Sequence, residues 1–338
     1  MTVLFSVLLP VQPPSFSSQS RPRDLLVWQH AAYHLRAGQP AALLCVLSSH
    51  GSSPGRQGFK MSVAADDTAG SIGGGIMEHK FVDLARAKLR EADPALVLRP
   101  QIHRREAPTD RSGMICSGEQ VVLLFPLQAH DLPTIEAGIR ALEQLSAAYL
   151  RLSATGLQIN PAAADTPGFT YQEGSDWYYE ERLGFRDQVT VVGGGHVALA
   201  LSRVLATLDF ELTVLDDRPG LNTLAQNPYA HHKRTVRYEA LAREIPEGPN
   251  QFIVIMTFGY RPDEVALRQL LGHRVKYLGL LGSQAKVAQL LGTLRAAGLP
   301  EHALARIHTP IGLPIHSRTP EEIAISVAAE LISVRNSE

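Results

Sequence analysis

The stretch Val189-Thr-Val-Val-Gly-Gly-Gly-His-Val-Ala198, followed by Leu212-Thr-Val-Leu-Asp216-Asp217, decides how this chain is read. A β-branched apolar run enters a glycine turn, a helical pattern follows, and a second apolar run ends in acid. That is the strand, Gly-x-Gly-x-x-Ala turn, helix, strand and acid of a dinucleotide-binding half-domain. In such a unit Gly193 makes the tight turn, Gly195 lets a pyrophosphate approach the backbone, and Ala198 lets the helix pack closely on the strand. Asp216 or Asp217 is placed to accept from a ribose hydroxyl, favouring NAD over a 2′-phosphorylated nucleotide, although Arg218 adjoins them. More than half of the chain precedes this unit.

A length of 338 residues suits two domains. The 32 Lys and Arg nearly balance 33 Asp and Glu, so no nucleic-acid or acidic-lipid footprint is expected. Two cysteines argue against a disulfide framework and fit a reducing, cytoplasmic setting. Residues 1–22 lack the positive start and long apolar core of a signal peptide and read as a tail or edge strand. No apolar run is long enough to span a bilayer.

Asp24 opens a helical pattern that stops at Gly38 before Pro40. Ala41 to Leu47 reads as a buried strand, 48–58 as a loop, and Phe59 to Ala65 as a strand. A helix is expected from about Ile76 to Glu91, strands near 95–102 and 120–127, and a long helix from Pro133 to about Leu150. Residues 153–186, rich in Ala, Pro, Gly and Thr, read as a linker. From Asp187 on, strands near 189–192, 211–215, 251–256 and 275–281 alternate with helices near 196–208, 262–271, 284–297 and 320–335. The fold class is therefore α/β: a mixed α/β domain over 23–152, then a Rossmann-like parallel-sheet domain over 187–338.

In the first half, Gly73-Gly74-Gly75 directly before a helix is a candidate anion site. Ser52 and Ser53 on a second loop offer hydroxyls, and Arg56 and Lys60 offer charge. Glu78, one turn into that helix, suits a ligand's N–H groups better than an anion. Cys116, in Ser112-Gly-Met-Ile-Cys-Ser-Gly-Glu119, is the cysteine with reactive or metal-binding potential, whereas Cys45 reads as core packing. His30 and His34 share a helix face but lack an evident third ligand, so a surface position is expected. His231-His232 reads as a loop pair.

Taken in order, several segments resemble one family, the XdhC/CoxI maturation factors of molybdenum hydroxylases, also called xanthine dehydrogenase accessory proteins. They are Gly51-Ser-Ser-Pro54, Gly58-Phe-Lys-Met61, Gly73-Gly-Gly-Ile-Met-Glu78 and Cys116-Ser-Gly118 in the first half. In the second half they are Val192-Gly-Gly-Gly-His-Val197, Leu215-Asp-Asp-Arg-Pro219, Leu278-Gly-Leu-Leu-Gly-Ser283 with Lys286, Ile307-His-Thr-Pro-Ile-Gly-Leu313 and Thr319-Pro-Glu-Glu-Ile-Ala324. The resemblance spans roughly residues 28–335. It implies a CoxI-type domain followed by a Rossmann domain, and an accessory protein that is not a turnover enzyme. It also implies binding of the molybdenum cofactor, help with its sulfuration, and insertion into a xanthine-dehydrogenase-like client, with a cysteine desulfurase as a further partner and a homodimer as the expected oligomer.

On that resemblance the molybdopterin ligands are Ser53, Lys60, Gly73, Gly74, Gly75, Glu78 and Cys116. The glycine turn would take the phosphate, Glu78 the pterin N–H groups, and Cys116 the molybdenum or its sulfur. A nucleotide, NAD(P) or another, would lie against Gly193, Gly195, His196, Asp216, Asp217, Thr257, Gly282 and Ser283. Three departures stand out: Ser117 where the family has Gly, Gly55 where it often has Arg, and Phe258 and Tyr260 where many relatives carry histidines. An NAD(P)-dependent oxidoreductase and a nucleotide-responsive regulator are the alternatives.

Overall fold

The computed structural model describes residues 20–102, 118–162 and 168–337. Cys116 and residues 1–19 lie outside the described residues. The chain divides into two compact units, Arg21–Arg186 and the residues from Asp187 onward, to which Ser20 also belongs.

The first unit opens with α1 (Leu25–Arg36), β1 (Ala41–Gly51), β2 (Lys60–Val63), β3 (Thr68–Gly70) and α2 (Gly75–Glu91). It continues with β4 (Val97–Ile102), β5 (Gly118–Leu127) and α3 (Leu132–Glu143). An antiparallel sheet of order β3-β2-β1-β5-β4 results. β1 is its central strand and is covered on both faces, which is why Ala41 to Leu47 is unbroken apolar sequence. Ala42, Leu44 and Val46 meet Met77, Phe81 and Ala85 of α2 on one side. Leu43, Cys45 and Leu47 meet α1 and α3 residues such as Trp28 and Ile139 on the other. β1 runs on to Gly51 through a register shift between Val46 and Ser48, so part of the expected 48–58 loop is strand.

The helix expected to reach Leu150 stops at Glu143. Leu145 adopts φ 52, and Ala148-Tyr-Leu-Arg-Leu-Ser153 then alternates buried and half-buried as strand β6. The stretch 153–186, expected from its composition to be a linker, holds β7 (Gly156–Pro161), β8 (Phe169–Gln172) and β9 (Tyr178–Leu183). With β6 they form a four-stranded antiparallel sheet of order β7-β6-β9-β8. Its inward residues Leu150, Leu152, Tyr179 and Leu183 join the same core as α1 and α3. Burial of that face makes these residues part of the first unit.

The second unit contains β10 (Asp187–Val192), α4 (His196–Leu205), β11 (Phe210–Asp216), α5 (Asn222–Ala225), β12 (His232–Thr235), α6 (Leu241–Glu244) and β13 (Gly248–Ile255). After these come α7 (Tyr260–Leu270), β14 (Val275–Leu280), α8 (Gln284–Ala296), α9 (Glu301–Leu304), β15 (Ile307–His308) and α10 (Pro320–Asn336). All six strands are parallel, in the order β12-β11-β10-β13-β14-β15. This is the doubly wound order with a switch point between β10 and β13. α4 and α10 cover one face, and α7 and α8 cover the other. The short strands β12 and β15 carry no apolar run, so no sequence pattern marks them.

Among the described residues no helix is long and apolar enough to cross a membrane.

Candidate functional site

Three segments of the first unit converge. Gly73 (φ 123) leaves no room for a side chain, because a Cβ there would overlap the backbone of Pro54 and Gly55. Gly118, two residues after Cys116 in the chain, is equally confined by the backbone of Ser52 and Ser53. Gln120 Oε1 accepts from Gly55 N at 3.1 Å and ties β5 to the same loop. The Ser52–Gly55 loop, the Ser71–Gly75 turn and the start of β5 are thus packed backbone to backbone.

Glu78 dominates this cluster. Its Oε2 accepts from Ser71 Oγ (2.6 Å), Ile72 N (2.9 Å) and Gly74 N (2.9 Å). Gly73 N donates to Ser71 Oγ (3.0 Å). Burial alone would raise the Glu78 carboxyl, but these hydrogen bonds outweigh it and hold the group below the usual carboxylate range. The glycine triplet suggests a ligand phosphate on the Gly74 N–H; the turn instead binds its own carboxylate. All three bonds use Oε2, which leaves Oε1 free of hydrogen bonds among the described residues. Ser53 is buried, and its hydroxyl donates to Gly55 O (2.8 Å). Gly75 begins α2 and is exposed.

Lys60 stands apart from these residues. Its backbone oxygen accepts from Ser71 N (2.9 Å), but its fully buried ammonium donates to Asp24 Oδ2 (2.8 Å), Gly58 O (3.0 Å) and the buried Glu181. Tyr179 OH donates to the other Glu181 oxygen. A charge expected at a ligand phosphate is therefore engaged inside the core. Asp24 and Glu181 are the unforeseen partners, and no local signal in the sequence joins positions 121 residues apart. Burial pushes the nearby Cys45 thiol far up, so that cysteine is inert.

In the second unit, Gly193 N donates to Leu215 O (2.7 Å) with φ 110, as the tight turn requires. A Cβ on Gly195 would meet open space. Asp216 is fully buried and saturated: Oδ2 accepts from Gly194 N (2.7 Å) and Arg218 Nη2 (2.8 Å), and Oδ1 from Arg218 N and Nε (both 2.9 Å). Burial would raise its carboxyl, but the Arg218 and Gly194 hydrogen bonds prevail and lower it. The ribose acceptor expected from sequence is occupied by Arg218, whose guanidinium also lies 4.7 Å from the centre of the exposed Phe258 ring. Asp217 Oδ1 is buried with no hydrogen-bond partner among the described residues, and burial together with the Asp216 charge raises that carboxyl.

Thr257 donates through N (3.1 Å) and Oγ1 (2.5 Å) to Oδ1 of the fully buried Asp263, whose Oδ2 pairs with Lys286. Ser283 Oγ caps α8 by accepting from Lys286 N (3.3 Å), and Gly282 lies against the Lys286 side chain. Thr257, Gly282 and Ser283 therefore do come together around Lys286. Asp263, one turn into α7, is a site residue that no sequence motif marks. His196 is exposed and lines a groove between α4 and the start of α10 with Arg203, Pro320 and Ile325.

His30 and His34 are not surface residues. Their Nε2 atoms lie 3.1 and 3.0 Å from Asp67 Oδ1, and His34 is buried.

Residues 189–331 match the model of the XdhC Rossmann domain, and residues 34–99 match that of the XdhC and CoxI family. The chain is 29% identical over 301 residues to the uncharacterised YqeB protein of Escherichia coli K12, covering 88% of this chain and 44% of that protein. It is 30% identical over 155 residues to a protein of Bacillus subtilis 168 described as a probable xanthine dehydrogenase component, covering 46% of this chain and 45% of that one. It thus spans less than half the length of the curated relatives it matches. A crystal structure from Bacillus halodurans, described as a xanthine dehydrogenase, is alike in fold. Its TM-score is 0.67 at 22% identity, over 92% of this chain and 96% of that one. With both family models matched in order, one on each unit, the chain belongs to the XdhC and CoxI family.

Proposed function

We propose that this chain is a maturation factor that binds the molybdenum cofactor in its first unit and hands it to a xanthine-dehydrogenase-like client. The observation that carries this reading is the backbone packing of the Ser52–Gly55 loop, the Gly73–Gly75 turn and Gly118. These three segments carry the motifs of the first half and meet in one place.

The residues fit the pterin half of that cofactor. Glu78 is held as an anion by three donors to Oε2, and its Oε1 can accept from ring N–H groups. They do not fit a phosphate at Gly74 N, which the Glu78 carboxylate already takes. Charge for the phosphate comes from Arg56, exposed on the facing loop with Nη1 on Gly51 O. When bound, the cofactor supplies a dithiolene-held molybdenum centre. Cys116, two residues before Gly118, would be the thiol that carries the sulfur as a persulfide, taken by exchange from a donor persulfide with release of the donor's thiol. A cysteine desulfurase is then the sulfur source, and a homodimer is the form in which we expect the factor to work.

Hydride transfer by the second unit is less well supported, because Asp216 and Asp263, its fully buried acids, are engaged by Arg218 and Lys286. Purified protein should release a fluorescent pterin on oxidation, and Cys116→Ala should retain pterin while failing to activate a client hydroxylase. Absence of pterin from protein produced alongside active cofactor synthesis would contradict the reading.

A further inference from the structure

We infer that His30, His34 and Asp67 form a binding site for a divalent transition-metal ion of the zinc class. His30 and His34 lie four residues apart on α1 and therefore on one face. Asp67 comes from the turn between β2 and β3. The two Nε2 atoms and one carboxylate oxygen lie within 4.8 Å of one another, and the nitrogens are 3.1 and 3.0 Å from Asp67 Oδ1. Ligands held at ~2.0–2.1 Å on a tetrahedral ion are spaced about 3.3 Å apart, so one ion can reach all three after small shifts. It is the one such cluster of three or more His, Cys, Asp or Glu among the described residues.

Two observations favour an ion over a plain ion pair. First, both Nε2 atoms are buried and converge on the same Asp67 oxygen, so two imidazoles and one carboxylate share a single point. Second, the opposite ring nitrogens are held: His34 Nδ1 lies 2.7 Å from Gln39 Oε1 and His30 Nδ1 lies 2.9 Å from Ser62 Oγ. A Gln oxygen only accepts, so His34 Nδ1 donates to it and Nε2 is the ring atom turned towards Asp67, the orientation of a metal-binding imidazole. Asp67 is 58% exposed, so an ion can enter from solvent and draw a further ligand from water.

The full chain, stripped with a chelator and dialysed, would be titrated with Zn²⁺ against a chromogenic competitor, and separately with Co²⁺ by visible absorption. One ion per chain is expected, and Asp67→Asn and His34→Gln should weaken binding by about tenfold or more. Cys116→Ser should bind as the wild type does. Asp67→Asn alters an exposed turn, and circular dichroism would verify that it folds. Failure of the wild type to take up a stoichiometric ion would overturn the inference. So would unchanged affinity in Asp67→Asn, or loss of the ion in Cys116→Ser alone.

Discussion

Glu78 Oε2 lies 2.9 Å from the backbone nitrogen of Gly74, four residues before it, so α2 binds a carboxylate of its own at its N-terminus. A glycine triplet before a helix invites an anion, and here the chain provides one. That internal anion orients the turn against the Ser52–Gly55 loop and leaves one carboxylate oxygen for a ligand.

Glu78 should contribute a pH-dependent part of the stability. Its folded-state carboxyl titrates below the ordinary 4.5, so its contribution is full above that value and is lost as the pH falls through the lowered one. Thermal unfolding of wild type and Glu78→Gln between pH 3 and pH 7, as a rough working range, should show the curves converging at the acid end. Parallel curves would place the effect elsewhere.

Gly73→Ala should destabilise the first unit by about 2–4 kcal/mol, since the new Cβ meets backbone and φ is positive. Calorimetry would detect this as a fall in Tm of several degrees. Gly156→Ala, also at positive φ but facing open space, should cost clearly less.

Lys60→Met should cost about 3–5 kcal/mol, because it leaves the buried Glu181 carboxylate without its cation. The double variant Lys60→Met with Glu181→Leu should recover part of that loss in chemical denaturation. A double variant no better than the single one would mean that packing, and not charge, sets the cost.

Arg218→Ala should expose Asp216 to a nucleotide ribose and tighten NADH binding, followed by fluorescence, by about tenfold, or ~1.4 kcal/mol. Equal affinities would show that Arg218 does not control that acceptor.

The second unit is the more legible half. Its central strands β10, β11, β13 and β14 are apolar runs between glycine turns and amphipathic helices, and that pattern locates all of the sheet except its two short edges, β12 and β15. The first unit is legible up to Glu143. Beyond it, the alternation of Ala148 to Ser153 is hidden by the preceding helical pattern, and the Pro- and Gly-bearing stretch that follows has the composition of a linker. Site residues divide in the same way. Backbone roles such as those of Gly73 and Gly193 follow from local sequence. The partners of Lys60, Asp263 and His34 do not, because they depend on which side chains the fold brings within reach.

The most direct test is an anaerobic titration of the purified protein with molybdenum cofactor, comparing wild type, Glu78→Gln and Gly74→Asp. Saturable binding by the wild type, weakened about tenfold or more in both variants, is the predicted result. No binding by the wild type, or equal binding by all three, would contradict a cofactor site at the glycine turn.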